Sequence, residues 1–135
     1  MLVPLLAVAA ASLATAAGHA APPRDGTYVG TTGEHRKIRV VVAGGEVARA
    51  MTTAGAYVCR PEGAVGPLTV KVRPHAPVVD RAVRFDAGPT TAKLRMAATF
   101  PTRTTLRGTV RVHGTIGTGD PCTSPVRRFT AKLRR

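Results

Sequence analysis

In the stretch TLRGTVRVHGTI, residues 105–116, Leu106, Val110, Val112 and Ile116 share one parity, while Arg107, Thr109, Arg111, His113 and Thr115 hold the other. Successive side chains of a β-strand point to opposite faces, so an apolar set repeating every second residue describes a strand with one buried face. The same pattern recurs along the chain. Ile38, Val40 and Val42 alternate with Arg39, Val41 and Ala43; Leu68, Val70 and Val72 alternate with Thr69 and Lys71. In AKLRMAATF, Ala92, Leu94, Met96, Ala98 and Phe100 oppose Lys93, Arg95, Ala97 and Thr99. From Gly26 onward no stretch carries a convincing helical period, so the alternation predicts an all-β chain.

Turn chemistry falls between the alternating runs. Ala43-Gly44-Gly45-Glu46 reads as a two-residue hairpin, because Gly-Gly supplies the positive φ such turns need. Pro61-Glu62-Gly63, Pro74-His75-Ala76-Pro77, Gly88-Pro89 and Gly117-Thr118-Gly119-Asp120-Pro121 mark further breaks, and Pro101-Thr102-Arg103 predicts a tight reversal. The result is about eight strands, near 27–32, 36–43, 46–53, 55–60, 68–73, 82–86, 92–100, 104–116 (one strand or two) and 126–134. Short strands with Gly and Pro turns point to an antiparallel β-sandwich or a small β-barrel, and the period is compatible with either. In the closing segment SPVRRFTAKLRR five of twelve residues are Arg or Lys, yet Phe129, Ala131 and Leu133 alternate with Arg128, Thr130, Lys132 and Arg134. It is therefore expected as a final strand rather than a free basic arm.

Residues 2–17, LVPLLAVAAASLATAA, carry no charge and are followed by small-residue cleavage options at Thr15-Ala16-Ala17 and Gly18-His19-Ala20. This reads as a secretory signal peptide over residues 1–20, with no positive residue ahead of its apolar run. The run falls short of the roughly 20 residues a spanning helix needs, so no permanent membrane anchor is expected. Residues 21–135 then form one all-β domain, too short for a second. Its two cysteines, Cys59 and Cys122, suggest one disulfide in an oxidising compartment, which would stabilise the fold by roughly 4 kcal/mol. Two free buried thiols are the alternative reading. No metal site is expected, since the cysteines lack paired spacing and the histidines are isolated.

All 20 cationic and 7 acidic residues lie outside residues 1–20, so the net charge of +13 belongs to the domain. Such a surface attracts polyanions through counterion release. Lys93, Arg95, Arg107, Arg111, Arg128, Lys132 and Arg134, all on expected outward faces, are the candidate polyanion-binding residues. The competing reading is a solvated face: Arg outnumbers Lys 16 to 4, as a G- and C-rich coding sequence would produce, and strand cations also block edge-to-edge association. Specific nucleic-acid recognition is not expected. Its stacking platforms need exposed aromatics, whereas Phe85, Phe100 and Phe129 are in phase with apolar neighbours.

Catalytic chemistry is thinly supplied. The domain's one serine, Ser124, sits beside Cys122 and reads as a turn residue; its carboxylates fall mostly in or beside turns; His35, His75 and His113 show no partner in the sequence. Neither Gly44-Gly45 nor Gly117-Thr118-Gly119 matches a phosphate-cradling loop. A non-enzymatic protein without a cofactor is expected.

DGTYVGTT at residues 25–32, a basic or polar strand, the hairpin VAGGEV and a Cys near residue 60 together resemble a family of small exported bacterial domains of uncharacterised function. The end of the chain carries the resemblance too: Cys122, a short turn, then Phe129-Thr130-Ala131-Lys132, with Phe129 where Trp is more usual. The resemblance implies an all-β secreted domain with a Cys59 to Cys122 bridge and no catalytic residues to transfer. The expected role is structural or binding, at the cell envelope or outside it. An anionic envelope polymer or an acidic protein is the expected partner, and protease inhibition through the exposed segment 74–80 is the alternative.

Overall fold

Alternation in the sequence becomes alternation in burial: Leu94, Met96, Ala98 and Phe100 are buried, while Arg95 and Thr99 between them are exposed. The computed structural model describes residues 21–61, 63–117 and 119–135, so the expected signal peptide at residues 1–20 lies outside the described residues. The regular structure is entirely β: β1 (Gly26–Thr32), β2 (Lys37–Ala43), β3 (Glu46–Ala54), β4 (Tyr57–Cys59), β5 (Gly63–Val65), β6 (Leu68–Val72), β7 (Ala76–Pro77), β8 (Ala82–Ala87), β9 (Lys93–Thr102), β10 (Thr105–Ile116), β11 (Asp120–Thr123) and β12 (Arg127–Leu133). No helix among the described residues is long and apolar enough to cross a membrane.

Twelve strands are present, three more than the nine segments expected. The additions β5, β7 and β11 are two to four residues long, too short for a period of two to register, and pairing with neighbours defines them. The reversal expected at Pro101-Thr102-Arg103 is also displaced. β9 runs through Thr102, and the turn is Arg103-Thr104, where the Thr104 amide donates to Thr102 Oγ1 at 3.3 Å. Pro101 is tolerated within the strand because the β9–β10 ladder has a bulge there, between Thr105 and Arg107, and β8 has already ended its pairing at Thr99.

Every ladder is antiparallel, and the main circuit runs β8-β9-β10-β12-β1-β2-β3-β6. Its two ends approach each other, β6 packing near β9 and β7 near β8. The sheet is thus a nearly closed barrel, which decides between the two expected architectures. Glycines allow the bending: a Cβ at Gly30 would overlap the Thr130 carbonyl, and one at Gly108 would overlap the Ala97 carbonyl. The two glycines face β12 from opposite sides, Gly30 across from Ala131 and Gly108 across from Phe129. The basic C-terminal segment is therefore a central strand, held on both edges.

The C-terminal half of β10 leaves the circuit and carries a flap, β11-β4-β5. Cys59 and Cys122 are register partners across β4 and β11, with Cα atoms 4.0 Å apart, and form the disulfide. Ser124, buried at 5 %, takes over where β11 ends: its amide donates to the Val112 carbonyl at 2.8 Å and its Oγ accepts from the Val112 amide at 2.9 Å. Its hydroxyl completes a ladder and donates to the Pro125 carbonyl at 3.2 Å.

Inside the barrel, Tyr28, Ile38, Val40, Val47, Leu94, Leu106 and Val112 are buried with Phe100, whose ring meets Tyr28 edge-on at 5.4 Å. The Tyr28 hydroxyl lies 2.7 Å from the Arg24 carbonyl and 2.8 Å from that of Arg103, tying the segment before β1 to the β9–β10 turn. Burial pushes its pKa up, with Asp25 adding to the shift and Arg103 and Arg24 opposing it. Towards Gly55, Glu34 accepts from the Gly55 amide at 3.1 Å and lies 3.6 Å from Arg127. The void beside them is about 10 Å³, room for one water at most. As in other small barrels the interior is filled by side chains, which leaves the outer surface for binding.

Candidate anion-binding face

Outward residues of β8, β9, β10, β12 and β1 fall into register as rows across the sheet. One row reads Ala82, Thr99, Arg107, Thr130, Thr31; the next reads Arg84, Ala97, Thr109, Arg128. Between them lies an open groove of about 810 Å³. Small residues form its floor, and the long side chains of Arg84, Arg107 and Arg128 stand beside it with the hydroxyls of Thr31, Thr99, Thr109 and Thr130. Its position coincides with the glycine bend at Gly108. Guanidinium groups offer paired N–H donors to an oxyanion, and threonine hydroxyls add donors around them.

Seven cations lie with outward parity on β8, β9, β10 and β12: Arg84, Lys93, Arg95, Arg107, Arg111, Arg128 and Lys132. Those strands contain a single carboxylate, Asp86. Two side chains already hold it: Arg95 Nη2 reaches Oδ2 at 2.9 Å and His113 Nε2 reaches Oδ1 at 2.7 Å. Partial burial pushes the Asp86 carboxyl up, but the hydrogen bonds and charges of His113 and Arg95 outweigh it and hold the carboxyl below its ordinary range. The pairing relieves a local conflict, since Arg95 lies directly across from Arg111 and like charges in that position repel. Among the described residues no carboxylate meets Arg84, Arg107, Arg128 or Lys132.

The candidates named from the sequence divide three ways. Arg107 and Arg128 line the groove. Lys132 lies one row further along, across from Thr105 and Val29, and Arg134 follows the end of β12, its amide bonded to the Thr27 carbonyl at 2.8 Å. Lys93, Arg95 and Arg111 sit at the opposite end, where Arg95 is engaged by Asp86 and Lys93 is across from His113. Arg84, which completes the groove, is absent from that set. Its alternation with Val83 and Phe85 is visible in AVRFDA, but nothing local shows that β8 lies beside β9. The carboxylate partners of His113 and His75 (Glu46, 2.9 Å) are likewise brought in from distant strands.

Tyr28, Tyr57, Phe100 and Phe129 are all buried, and Phe85 packs against the core, so they offer no stacking platform. Among the described residues, no cluster of three or more His, Cys, Asp or Glu side chains could hold a metal. The segment 74–80 is pinned to the barrel: Ala76 is buried, β7 pairs with β3, and the Val78 amide donates to the Gly45 carbonyl at 2.9 Å. Comparison with protein-family models, with curated proteins and with solved structures finds no match.

Proposed function

We propose that this is an exported, non-catalytic binding domain that holds a linear anionic polymer of the cell envelope in the groove between Arg84, Arg107 and Arg128. One observation carries the reading: among the described residues, the strongly cationic outer face of β8, β9, β10 and β12 has one carboxylate, Asp86, which its neighbours already hold, leaving guanidinium groups without a carboxylate partner beside a groove. Each phosphate, sulfate or carboxylate engaged would release condensed counterions, so affinity depends steeply on salt. The disulfide suits the oxidising compartment to which the leader sequence points.

The test is elution over a salt gradient from heparin and from a phosphate matrix, the two supports distinguishing sulfated polysaccharide from phosphate. Replacing Arg84, Arg107 and Arg128 by Gln is expected to move elution to clearly lower salt and to flatten the salt dependence. A triple variant that elutes with the wild type on both supports would remove this groove as the site.

A further inference from the structure

The circuit carries a second basic groove, about 340 Å³ in volume, on the outer face of β2, β3 and β6. Arg39, Arg49, Lys71 and Arg73 border it, all exposed, and Val41 and Met51 form part of its floor. Register places Met51 between Arg39 and Lys71, and Arg49 beside Val41. Among the described residues none of these four cations meets a carboxylate. Glu46 is engaged by His75, and Asp25 accepts from the Gly44 amide at 3.3 Å.

The positions of the two grooves decide what they can do together. In the order β8-β9-β10-β12-β1-β2-β3-β6, the first spans β8 to β1 and is centred on β10, and the second is centred on β2 and β3. The ends of this order approach each other, so three to four strand steps out of eight amount to nearly half a turn of the barrel, and the grooves lie on opposing sides of it. A single chain seated in one groove would have to bend around the barrel to enter the other. Both linings are rich in Arg, and the first adds threonine hydroxyls around its guanidinium groups. That mixture suits a tetrahedral phosphate, whose free oxygens point apart and take donors from more than one side, better than a planar carboxylate that one guanidinium fork can satisfy.

Building on the polyanion reading above, we propose that the domain is bivalent and cross-links two strands of a phosphate-bearing linear polymer, one in each groove. Long-chain inorganic polyphosphate is the probe, mixed with the wild type, with Arg84→Gln/Arg107→Gln/Arg128→Gln and with Arg39→Gln/Arg49→Gln/Lys71→Gln. The two variants lose the same number of positive charges, all from exposed side chains, so non-specific charge condensation would affect them equally. The wild type is expected to raise light scattering to a maximum and to lose it again in polymer excess. Each variant still binds polyphosphate, with about half the wild-type capacity, gives no scattering maximum, and binds a dense polyphosphate surface on the order of 100-fold more weakly as avidity is lost. Wild-type binding without a scattering maximum, as when one chain wraps the barrel, overturns bivalency and leaves the first groove standing. Variants that scatter like the wild type also overturn it. A wild type that does not bind polyphosphate at all removes both grooves as phosphate sites.

Discussion

Asp86 shows how one side chain sets the character of the basic face. Its two oxygens are taken by Arg95 and His113, with Lys93 and Arg111 as the next cations in register. The folded pKa of its carboxyl is lowered, so its contribution to stability is fully present above the ordinary carboxylate value and is lost as pH falls through the lower folded value. Asp86→Asn removes that contribution and leaves Arg95 facing Arg111 without a counter-charge. The variant is expected to unfold at lower denaturant than the wild type near neutral pH, with the difference shrinking as the wild-type carboxyl is protonated. Denaturation midpoints measured across the acid range check this, and a gap that does not change with pH would mean that the carboxylate's charge is irrelevant there. The same variant should elute later from a phosphate matrix, because the face has lost its one acidic group.

Glycines in two settings, a hairpin turn and a strand interior, separate what local sequence reveals from what it hides. Gly44 and Gly45 have φ of 60° and 77° and nothing within 4 Å of an added Cβ, as the Gly-Gly pair between two alternating runs predicts. Gly108 lies within β10, with the bulk of β9 against it. Gly45→Ala is expected to destabilise by about 1 kcal/mol, through backbone conformation alone. Gly108→Ala should cost about 3 kcal/mol, because β9 and β10 must separate to admit a methyl group. Urea midpoints at constant slope measure both, and equal losses would refute the close approach at Gly108. The contrast also explains what was legible beforehand. Parity placed Arg107, Arg128 and Lys132 outward and identified the closing segment as a strand, since a period of two needs only neighbouring residues. Placing β12 between β1 and β10, or Arg84 across the sheet from Arg128, depends on partners far away in sequence, as far as Tyr28 is from Leu133. The short strands β5, β7 and β11 were hidden for the same reason.

The first and last long strands of the domain, β1 and β12, pair with each other, so the barrel is completed only when both ends of the chain are in place. The flap β11-β4-β5 stands outside that circuit, is paired to it through β10, and is cross-linked within itself by a disulfide spanning 63 residues of sequence. Stability and binding should therefore separate. Replacing Cys59 and Cys122 together by Ser lifts a constraint on the unfolded chain and is expected to lower stability by about 4 kcal/mol. Both grooves are bordered by strands of the main circuit, and none of their bordering cations belongs to the flap. Below its melting temperature the double variant should thus elute from heparin and phosphate supports at the wild-type salt concentration. Elution at lower salt from protein that is still folded would show that the flap shapes the basic face, and would extend the binding surface from the barrel wall to its disulfide-bonded end.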